Sequence, residues 1–345
     1  MAAFTTIDNP ELYFQVKIYT GDGNDNRAIT FDGDEDMQPN WLWFKNRGAA
    51  AWHNIYDSVR GANKALASNA NNAEESRSDT LDSFDSNGFT VGNDTSQDPD
   101  GYNTNASSNT YVCWAWKESA TAGFDIIAYT GNGTSGRTVS HNLSAVPEFI
   151  IIKPRDQGDN WRVYHKGIDS SAPEDYHLQL QDTGARSDNA TMFNDTAPTS
   201  SVFSLGNNSG INGNTNTFIS YVFSEKQGYS KFSKYIGNAS DAGPCIFTGF
   251  RPAWIMCKAA SDNGEGWQIL DNKRDPNNPV LTKLAANAAG ADSATAGDNN
   301  VDFLSNGFKI ITNDNGLNKT GVTYIYAAFA EQPFVNSNGV PANAR

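Results

Sequence analysis

Short apolar runs alternate with polar stretches along the whole chain. Some runs alternate apolar and polar side chains with a period of two, which is typical of a half-buried strand. The run 217–223 is apolar on both faces, which indicates a strand buried inside a sandwich. Asn, Asp, Ser and Gly fill the intervals, and these residue types favour turns. Because no stretch sustains the 3.6-residue apolar spacing of a helix, the pattern predicts an all-β chain.

Four landmarks recur three times in the same order, at spacings of 105 to 110 residues. Such regularity indicates internal repeats, which have to be recognised before a fold is assigned. The landmarks are Tyr-x-Gly at Tyr19, Tyr129 and Tyr235; Pro, an aromatic residue two positions later and a strand ending in Lys at 39–45, 147–153 and 252–258; a Trp that opens a strand at Trp52, Trp161 and Trp267; and a closing strand at 110–116, 217–223 and 323–329.

The repeats predict three tandem antiparallel β-sandwich-like modules of about 105–110 residues each. We place them at residues 1–118, 119–225 and 226–345, the first with an N-terminal segment and the third with a C-terminal tail. Linkers between them are short, so we expect the modules to pack as one rigid unit. Modules 1 and 3 share a Ser-Asn-Gly-Phe turn that module 2 lacks at 201–206, and for 67–83 and 285–300 we expect either one short helix or a loop.

The net charge of −14 argues against nucleic acid as a partner, because phosphate is neutralised by Lys and Arg. It argues equally against anionic membrane surfaces. The N-terminal sequence has neither the basic region nor the apolar region of a signal peptide, and no apolar run approaches 18 residues. We therefore expect synthesis in the cytoplasm without membrane insertion. Of the three cysteines, Cys113 and Cys257 lie in strand-like runs, where we expect small buried side chains.

Candidate chemistry is sparse. His53, His141, His165 and His177 show no metal-ligand spacing, so a structural or surface role is expected for each. The acidic stretch 32–36 suggests a calcium loop, but it lacks the EF-hand register and is absent from the other modules. No nucleophile elbow or P-loop is present, although a spatial pair of carboxylates for glycoside cleavage stays open. We expect no catalytic, cofactor or metal residues and no enzymatic activity.

The repeated tryptophans are expected to form the core, because residues that recur at equivalent strand positions usually pack inside. The set is Trp41, Trp52, Trp114, Trp161, Trp254 and Trp267. Non-repeated aromatic residues, Tyr102 and Tyr176, are the candidates for a surface role. Loops that differ between modules are the candidates for binding, at 94–106, 170–183 and 207–216.

Several segments together resemble the repeat-built tail-fibre and virion structural proteins of marine bacteriophages, cyanophages included. The resemblance spans the whole chain, and its motifs are distinctive only as a set. They are 4–10 followed by Tyr19-Thr-Gly, 110–117, Trp161-Arg-Val-Tyr-His165, 194–203, and the ending from Pro333 to Arg345. The resemblance implies a role on the virion and no reaction.

The functional expectation is a phage tail fibre or other tail-associated protein that contributes to host-surface attachment. Its expected partners are other virion proteins, a host receptor or glycan, and further copies of itself. A capsid-decorating or head-fibre protein is the alternative of the same class. A depolymerase acting on surface polysaccharide is the alternative of another class.

Overall fold

The computed structural model describes residues 5–94, 101–294 and 300–341. The chain is all-β, and its antiparallel sheets form sandwich-like modules, which confirms the predicted fold class. Within these described ranges, helical structure is confined to single turns at Pro10–Leu12, Pro173–Asp175, α1 (Ser209–Asn212) and α2 (Asn315–Asn318).

The strands follow the predicted runs closely. Module 1 contains β1 (Phe14–Thr20), β2 (Arg27–Thr30), β3 (Trp41–Asn46), β4 (His53–Asp57), β5 (Lys64–Ala67), β6 (Glu75–Ser76), β7 (Leu81–Asp85), β8 (Gly88–Val91) and β9 (Thr110–Trp116). Module 2 contains β10 (Phe124–Thr130), β11 (Arg137–Ser140), β12 (Phe149–Pro154), β13 (Arg162–His165), β14 (Tyr176–Gln179), β15 (Ser187–Asp188), β16 (Val202–Leu205) and β17 (Thr217–Phe223). Module 3 contains β18 (Ser230–Ile236), β19 (Cys245–Phe247), β20 (Phe250–Ala259), β21 (Gln268–Asp271), β22 (Leu284–Ala285), β23 (Val301–Leu304), β24 (Gly307–Ile310) and β25 (Thr323–Pro333).

Each module has one large and one small sheet, and the large sheet has the same strand order in all three. The orders are β1-β9-β3-β4-β5-β6, β10-β17-β12-β13-β14-β15 and β18-β25-β20-β21-β22. The closing strand therefore lies inside the sheet, between the first strand and the strand that carries the Lys landmark. This position explains why the closing strand is apolar on both faces.

Alternation along the closing strands divides the apolar side chains between two kinds of core. In β9, Val112, Trp114 and Trp116 face a core shared by all three modules. Tyr111, Cys113 and Ala115 face a core that belongs to module 1 alone, under its small sheet. Modules 2 and 3 have their own outer cores in the same way. Each large sheet is thus covered on both faces.

Aromatic rings fill the shared core and join every pair of modules. Trp41 of module 1 stacks on Tyr221 of module 2 with ring centroids 4.6 Å apart. Trp116 contacts Trp254 of module 3 at 5.6 Å, and Phe223 of module 2 contacts the ring of Phe329 at 5.9 Å. Burying aromatic rings of this size contributes a large share of core stability. The modules consequently depend on one another for their inner faces.

Close packing of two backbone segments requires glycine at the last position of the first landmark. A Cβ at this position would lie within 2.3 Å of a carbonyl oxygen on the segment before the closing strand. Contacts that short do not occur, so only glycine fits. The distances are 2.1 Å for Gly21 to Ala106, 2.0 Å for Gly131 to Gly213 and 2.3 Å for Gly237 to Lys319.

The assignment of Trp52 to the third landmark in module 1 is wrong by one residue. Asp57, His165 and Asp271 are equivalent, because each pairs with the aromatic residue of the second landmark in its own module. Counting back four residues from each gives Trp161 and Trp267 in modules 2 and 3, but His53 in module 1. Trp52 is instead only partly buried and packs against the outer core of module 1, beside Tyr102.

Module 2 departs from the others where the sequence does. Its small sheet has only β11 and β16, whereas modules 1 and 3 have three strands there. Residues 67–83 contain β6 and the start of β7 and no helix. Residues 285–294 and 300 contain no helix either, and the rest of that predicted segment lies outside the described residues.

Candidate functional site

The buried polar side chains of the molecule are concentrated at the interfaces between modules, which we call seams. Asp57 and Asp271 are buried at equivalent strand ends, and each accepts a hydrogen bond from the closing strand of another module. Asp57 Oδ2 accepts from the hydroxyl of Tyr221 at 2.7 Å, and Asp271 Oδ2 accepts from Nε1 of Trp114 at 3.0 Å. The tyrosine and the tryptophan are themselves equivalent residues, so one bond type recurs at two of the three seams.

Module 2 makes the third version of this bond with a histidine. His165 Nδ1 accepts a hydrogen bond of 3.0 Å from the Gly167 amide, so Nε2 carries the proton and donates to the carbonyl oxygen of Tyr326, also at 3.0 Å. Burial lowers the pKa of His165 to about 3, which keeps the ring neutral. With both nitrogens engaged, His165 is a structural residue.

An arginine three residues later balances each buried aspartate. Arg60 Nε lies 2.5 Å from Asp57 Oδ2, and Arg274 Nε lies 2.6 Å from Asp271 Oδ2, with all four side chains fully buried. Such a pair tolerates burial only when further hydrogen bonds satisfy it. Module 2 has Ile168 at this position, beside its neutral His165.

A second carboxylate extends each arginine to the next module. Glu74 lies 3.4 Å from Arg60 and bonds Arg155 of module 2 at 2.8 and 3.0 Å. In the same way, Asp292 joins Arg274 to Arg47 of module 1. Backbone bonds of 2.8 Å mark all three seams: Glu74 to Arg155, Asp292 to Arg47 and Arg186 to Ala260. The sequence signal was present, since 57–60 and 271–274 match, but its role across modules was missed.

The lysine of the second landmark is buried in every module. Its Nζ donates to the carbonyl of the next residue at 2.7 to 3.0 Å. In modules 2 and 3, a longer bond of 3.4 Å reaches a carbonyl of the preceding module, at Asn71 and Thr183. Desolvation lowers the pKa of Lys45, Lys153 and Lys258 to about 8.

The three remaining histidines, His53, His141 and His177, and two of the three cysteines are buried, whereas Cys245 is exposed. His53 Nδ1 accepts from Trp43 Nε1 at 3.1 Å, and burial lowers its pKa well below the usual value. Burial also lowers the pKa of His177 to about 4. Cys113 and Cys257 are fully buried, which confirms that prediction.

The acidic stretch at 32–36 is tied to its surroundings by polar bonds. Asp32 lies 3.5 Å from Lys17 and 3.6 Å from Lys273, and Asp36 accepts from Asn87 at 2.7 Å. Within 5–94, 101–294 and 300–341, no three His, Cys, Asp or Glu side chains are grouped to hold one metal ion.

A crevice of about 430 Å³ opens beside this stretch, between the start of module 1 and the end of β25. A recess of about 80 Å³ lies beside it, and Glu11 and Glu331 line both. The crevice is lined by Asp8, Asn9, Pro10, Glu11, Asp34, Glu331, Gln332, Pro333, Asn336, Val340 and Pro341.

Much of the segments expected to bind as free loops is buried. Tyr102 is fully buried, so the prediction of a surface role for it is wrong. Tyr176 is partly buried and packs under Arg186. Segment 170–183 contains strand β14 with its buried Leu178, and 207–216 contains α1. Residues 95–100 of the first segment lie outside the described residues.

Their burial has a structural reason that the sequence did not reveal. A fully buried asparagine recurs in front of each closing strand and accepts a backbone hydrogen bond just after the Tyr-x-Gly landmark. The bonds run from the amides of Asp22, Asn132 and Asn238 to Asn105, Asn212 and Asn318, at 3.2, 3.0 and 2.8 Å. In 94–106 and 207–216, the asparagine therefore fixes the segment against the start of its module.

Glu118, beside the linker between modules 1 and 2, has a raised pKa. Glu118 at the end of module 1 faces Asp125 at the start of module 2, and desolvation together with Asp125 raises the pKa of Glu118 to about 7. Glu118 Oε1 also accepts from the Ile126 amide at 3.2 Å, and Asp125 Oδ2 from the Asn142 amide at 2.6 Å. The pair belongs to the linker, and neither residue lines the crevice.

A family model described as a domain of unknown function (DUF7483) matches residues 9–333, which include every strand of the three modules. No curated protein and no solved structure matches the chain. Among the described residues, no helix has the length and apolar character needed to cross a membrane.

Proposed function

The chain belongs to the DUF7483 family, and since that description assigns no role, we propose one: a structural protein of a bacteriophage particle. In this proposal it is a tail fibre or another tail-associated appendage that contributes to host-surface attachment. It acts with other virion proteins, in several copies, and meets a receptor or glycan on the host. Support comes from the resemblance of its motifs to marine phage virion proteins and from the way its buried polar residues join the modules.

The observation that carries the proposal is that the buried charged residues form their bonds between modules. Asp57, Asp271 and their arginines are bonded across module seams, and His165 is neutral with both nitrogens engaged. A shared aromatic core adds to these bonds. Such a molecule is a rigid block, which suits a part that transmits force or holds position on a particle.

Exposed apolar residues suggest how the block attaches. Of the six large apolar side chains exposed among the described residues, four lie in module 3: Ile236, Phe247, Phe334 and Val340. Phe247 is 70% exposed, on edge strand β19. The equivalent residues, Thr30 and Ser140, are polar. The Phe334 amide bonds the carbonyl of Gly249, two residues beyond Phe247, at 3.0 Å. Because exposed apolar residues that lie together mark contacts with a partner, we assign the module 3 edge to a neighbouring virion protein.

A depolymerase remains the second candidate, because the crevice holds carboxylates. Glycoside cleavage needs one carboxyl group with a raised pKa as the proton donor. In the crevice, hydrogen bonds from Ser337 lower the pKa of Asp8. Glu118, whose pKa is raised, lies outside the crevice. These observations favour the structural role over the enzyme.

The test exchanges the module 3 edge for that of module 1. Phages carrying Phe247→Thr with Ile236→Thr take the residues found at Thr30 and Thr20, and the purified protein should melt as the wild type does. We expect purified particles to lose the protein, as measured by quantitative mass spectrometry, and adsorption to fall with it. Val59→Thr, an exposed apolar residue of module 1, is the control.

Particles that retain the double variant at wild-type amount would refute the assigned contact. Gold-labelled antibody against the chain then locates it in intact particles. Label on the tail supports the appendage, and label on the head supports the capsid-decorating alternative. Absence of the protein from purified particles, together with cleavage of host polysaccharide, would replace the proposal by the depolymerase.

A further inference from the structure

Two positions at the end of each large sheet are equivalent in all three modules and show how the modules differ. The first precedes the aromatic residue of the second landmark, the second follows the seam aspartate or histidine, and a backbone hydrogen bond joins them in every module. These bonds are 2.8 Å from Ser58 to Asn40, 2.8 Å from Lys166 to Glu148 and 2.9 Å from Asn272 to Ala253. The positions are therefore aligned without ambiguity.

Modules 1 and 2 fill this place with their own side chains. In module 1, Asn40 donates to Ser58 Oγ at 3.0 Å and accepts from the Glu118 amide at 2.9 Å. In module 2, Glu148 bonds Lys166 at 2.7 Å and accepts from the Glu225 amide at 2.9 Å. Each pair of side chains completes its own hydrogen bonds.

Module 3 has no such hydrogen-bonded pair of side chains at the equivalent positions. The first position is Ala253, which has no polar side chain to offer. Asn272 is only 6% exposed, and its Oδ1 is buried with no hydrogen-bond partner among the described residues. It lines the recess of about 80 Å³ with Glu11 and Glu331. A buried amide oxygen without a donor destabilises the fold, because its lost hydrogen bond to water is not replaced, so a donor from outside is favoured.

The negative charge around the crevice and its recess determines what kind of hydrogen-bond donor can bind there. The outer crevice is lined by Asp8, Glu11, Asp34 and Glu331, and none of its lining residues is basic. Arg251 pairs with Glu331 at 2.9 Å. Lys273 also lines the recess, and its ammonium group lies 3.6 Å from the carboxylate of Asp32. The site therefore keeps an excess of negative charge.

We infer that this crevice at the seam of modules 1 and 3 binds an organic cation. Its ammonium or guanidinium group enters the recess, donates to Asn272 and is balanced by Glu11, while the rest of the ligand lies in the outer crevice. The volumes suit a small organic molecule or a basic side chain. A bare metal ion fits poorly, because the carboxylates are not grouped around one point. This inference is independent of the role on the particle.

The test uses the full chain and calorimetric titration with three probes. Spermidine represents a free polyamine, Nα-acetyl-arginine amide represents the side chain of a partner, and Nα-acetyl-norleucine amide is the neutral control. We expect one cationic probe to bind and the neutral one not to. The tighter of the two cations identifies the source. Glu11→Gln should weaken that binding about tenfold, the effect of roughly 1.4 kcal/mol.

The decisive variant closes the site with the residue that module 1 uses. Ala253→Asn should place a donor on Asn272, abolish cation binding and leave the melting temperature unchanged or raised. Ser58→Ala, at the position equivalent to Asn272 in module 1, should bind as the wild type does. The inference is overturned if neither cation binds more tightly than the neutral probe, if Ala253→Asn folds and binds as well as wild type, or if Ca²⁺ binds there instead.

Discussion

The hydroxyl of Tyr221 in module 2 donates a hydrogen bond of 2.7 Å to Asp57 in module 1, inside a seam that water does not reach. Asp57 Oδ2 lies also 2.5 Å from Arg60 Nε, and Arg60 reaches back to the tyrosine oxygen at 3.3 Å. The three groups form a closed network across two modules. Networks of this kind are strong when complete and costly when one member is lost.

Replacing the tyrosine tests that network. Tyr221→Phe keeps the ring in the shared core but leaves Asp57 with one donor fewer. We expect the free energy of unfolding to fall by about 1–3 kcal/mol, as measured by denaturant titration. Tyr176→Phe is the control, since its hydroxyl has no hydrogen bond to the described residues. Equal stability of both variants would show that the tyrosine bond contributes nothing.

The buried ion pair of module 1 can be exchanged for the neutral solution of module 2. Arg60→Ile alone leaves Asp57 charged and unpaired, and we expect a loss of about 3–5 kcal/mol. Adding Asp57→His reproduces the His165 and Ile168 combination and should recover part of that loss. A double variant that is no more stable than Arg60→Ile would show that the two residues are not coupled.

The repeats allowed the strands to be predicted, because burial on alternate faces leaves a clear pattern in sequence. The closing strand 217–223 was recognised as buried on both faces, and the structure supplies the reason in its two cores. The lysine landmark was found, but the burial of Lys153 could not be foreseen. A lysine at a strand end is ordinarily exposed, and only the packing of another module covers it.

The error at Trp52 has a related cause. One tryptophan in each repeat suggested an alignment, but strand pairing decides which residue is equivalent to Trp161 and Trp267. In module 1, Trp41 pairs with Asp57, and the residue four positions before Asp57 is His53. The crevice could not be predicted at all. It arises from residues about 320 positions apart, Glu11 and Glu331, and its recess from the absence of a polar side chain at Ala253. A missing partner leaves no signal in a single sequence.

The glycine of the first landmark provides a direct test of the repeat. Gly131→Ala would place a Cβ 2.0 Å from the Gly213 carbonyl oxygen, so the two segments have to separate. We expect a loss of about 1–3 kcal/mol or more, visible as a lower melting temperature. Gly290→Ala is the control, because a Cβ there meets no atom within 4 Å. If both variants melt alike, close packing does not explain the landmark.

The carboxyl pair between modules 1 and 2 predicts a pH dependence of stability. The pKa of Glu118 rises from an ordinary 4.5 to about 7 in the folded protein, through desolvation first and Asp125 second. The folded chain therefore holds a proton that the unfolded chain releases between these values. By linkage, the contribution of Glu118 to stability is complete below pH 4.5, declines as the pH rises and is lost above about 7.

Glu118→Gln isolates this effect, because glutamine imitates the protonated acid at every pH. The amide can donate to Asp125 and still accept from the Ile126 amide. The difference in melting temperature between variant and wild type should grow in favour of the variant from pH 5 to about 7 and then stay constant. Glu225→Gln, at the equivalent residue that is ion-paired with Lys166 and Lys231, should not reproduce that trend. A constant difference between Glu118→Gln and wild type over this range would mean that the pair does not share a proton.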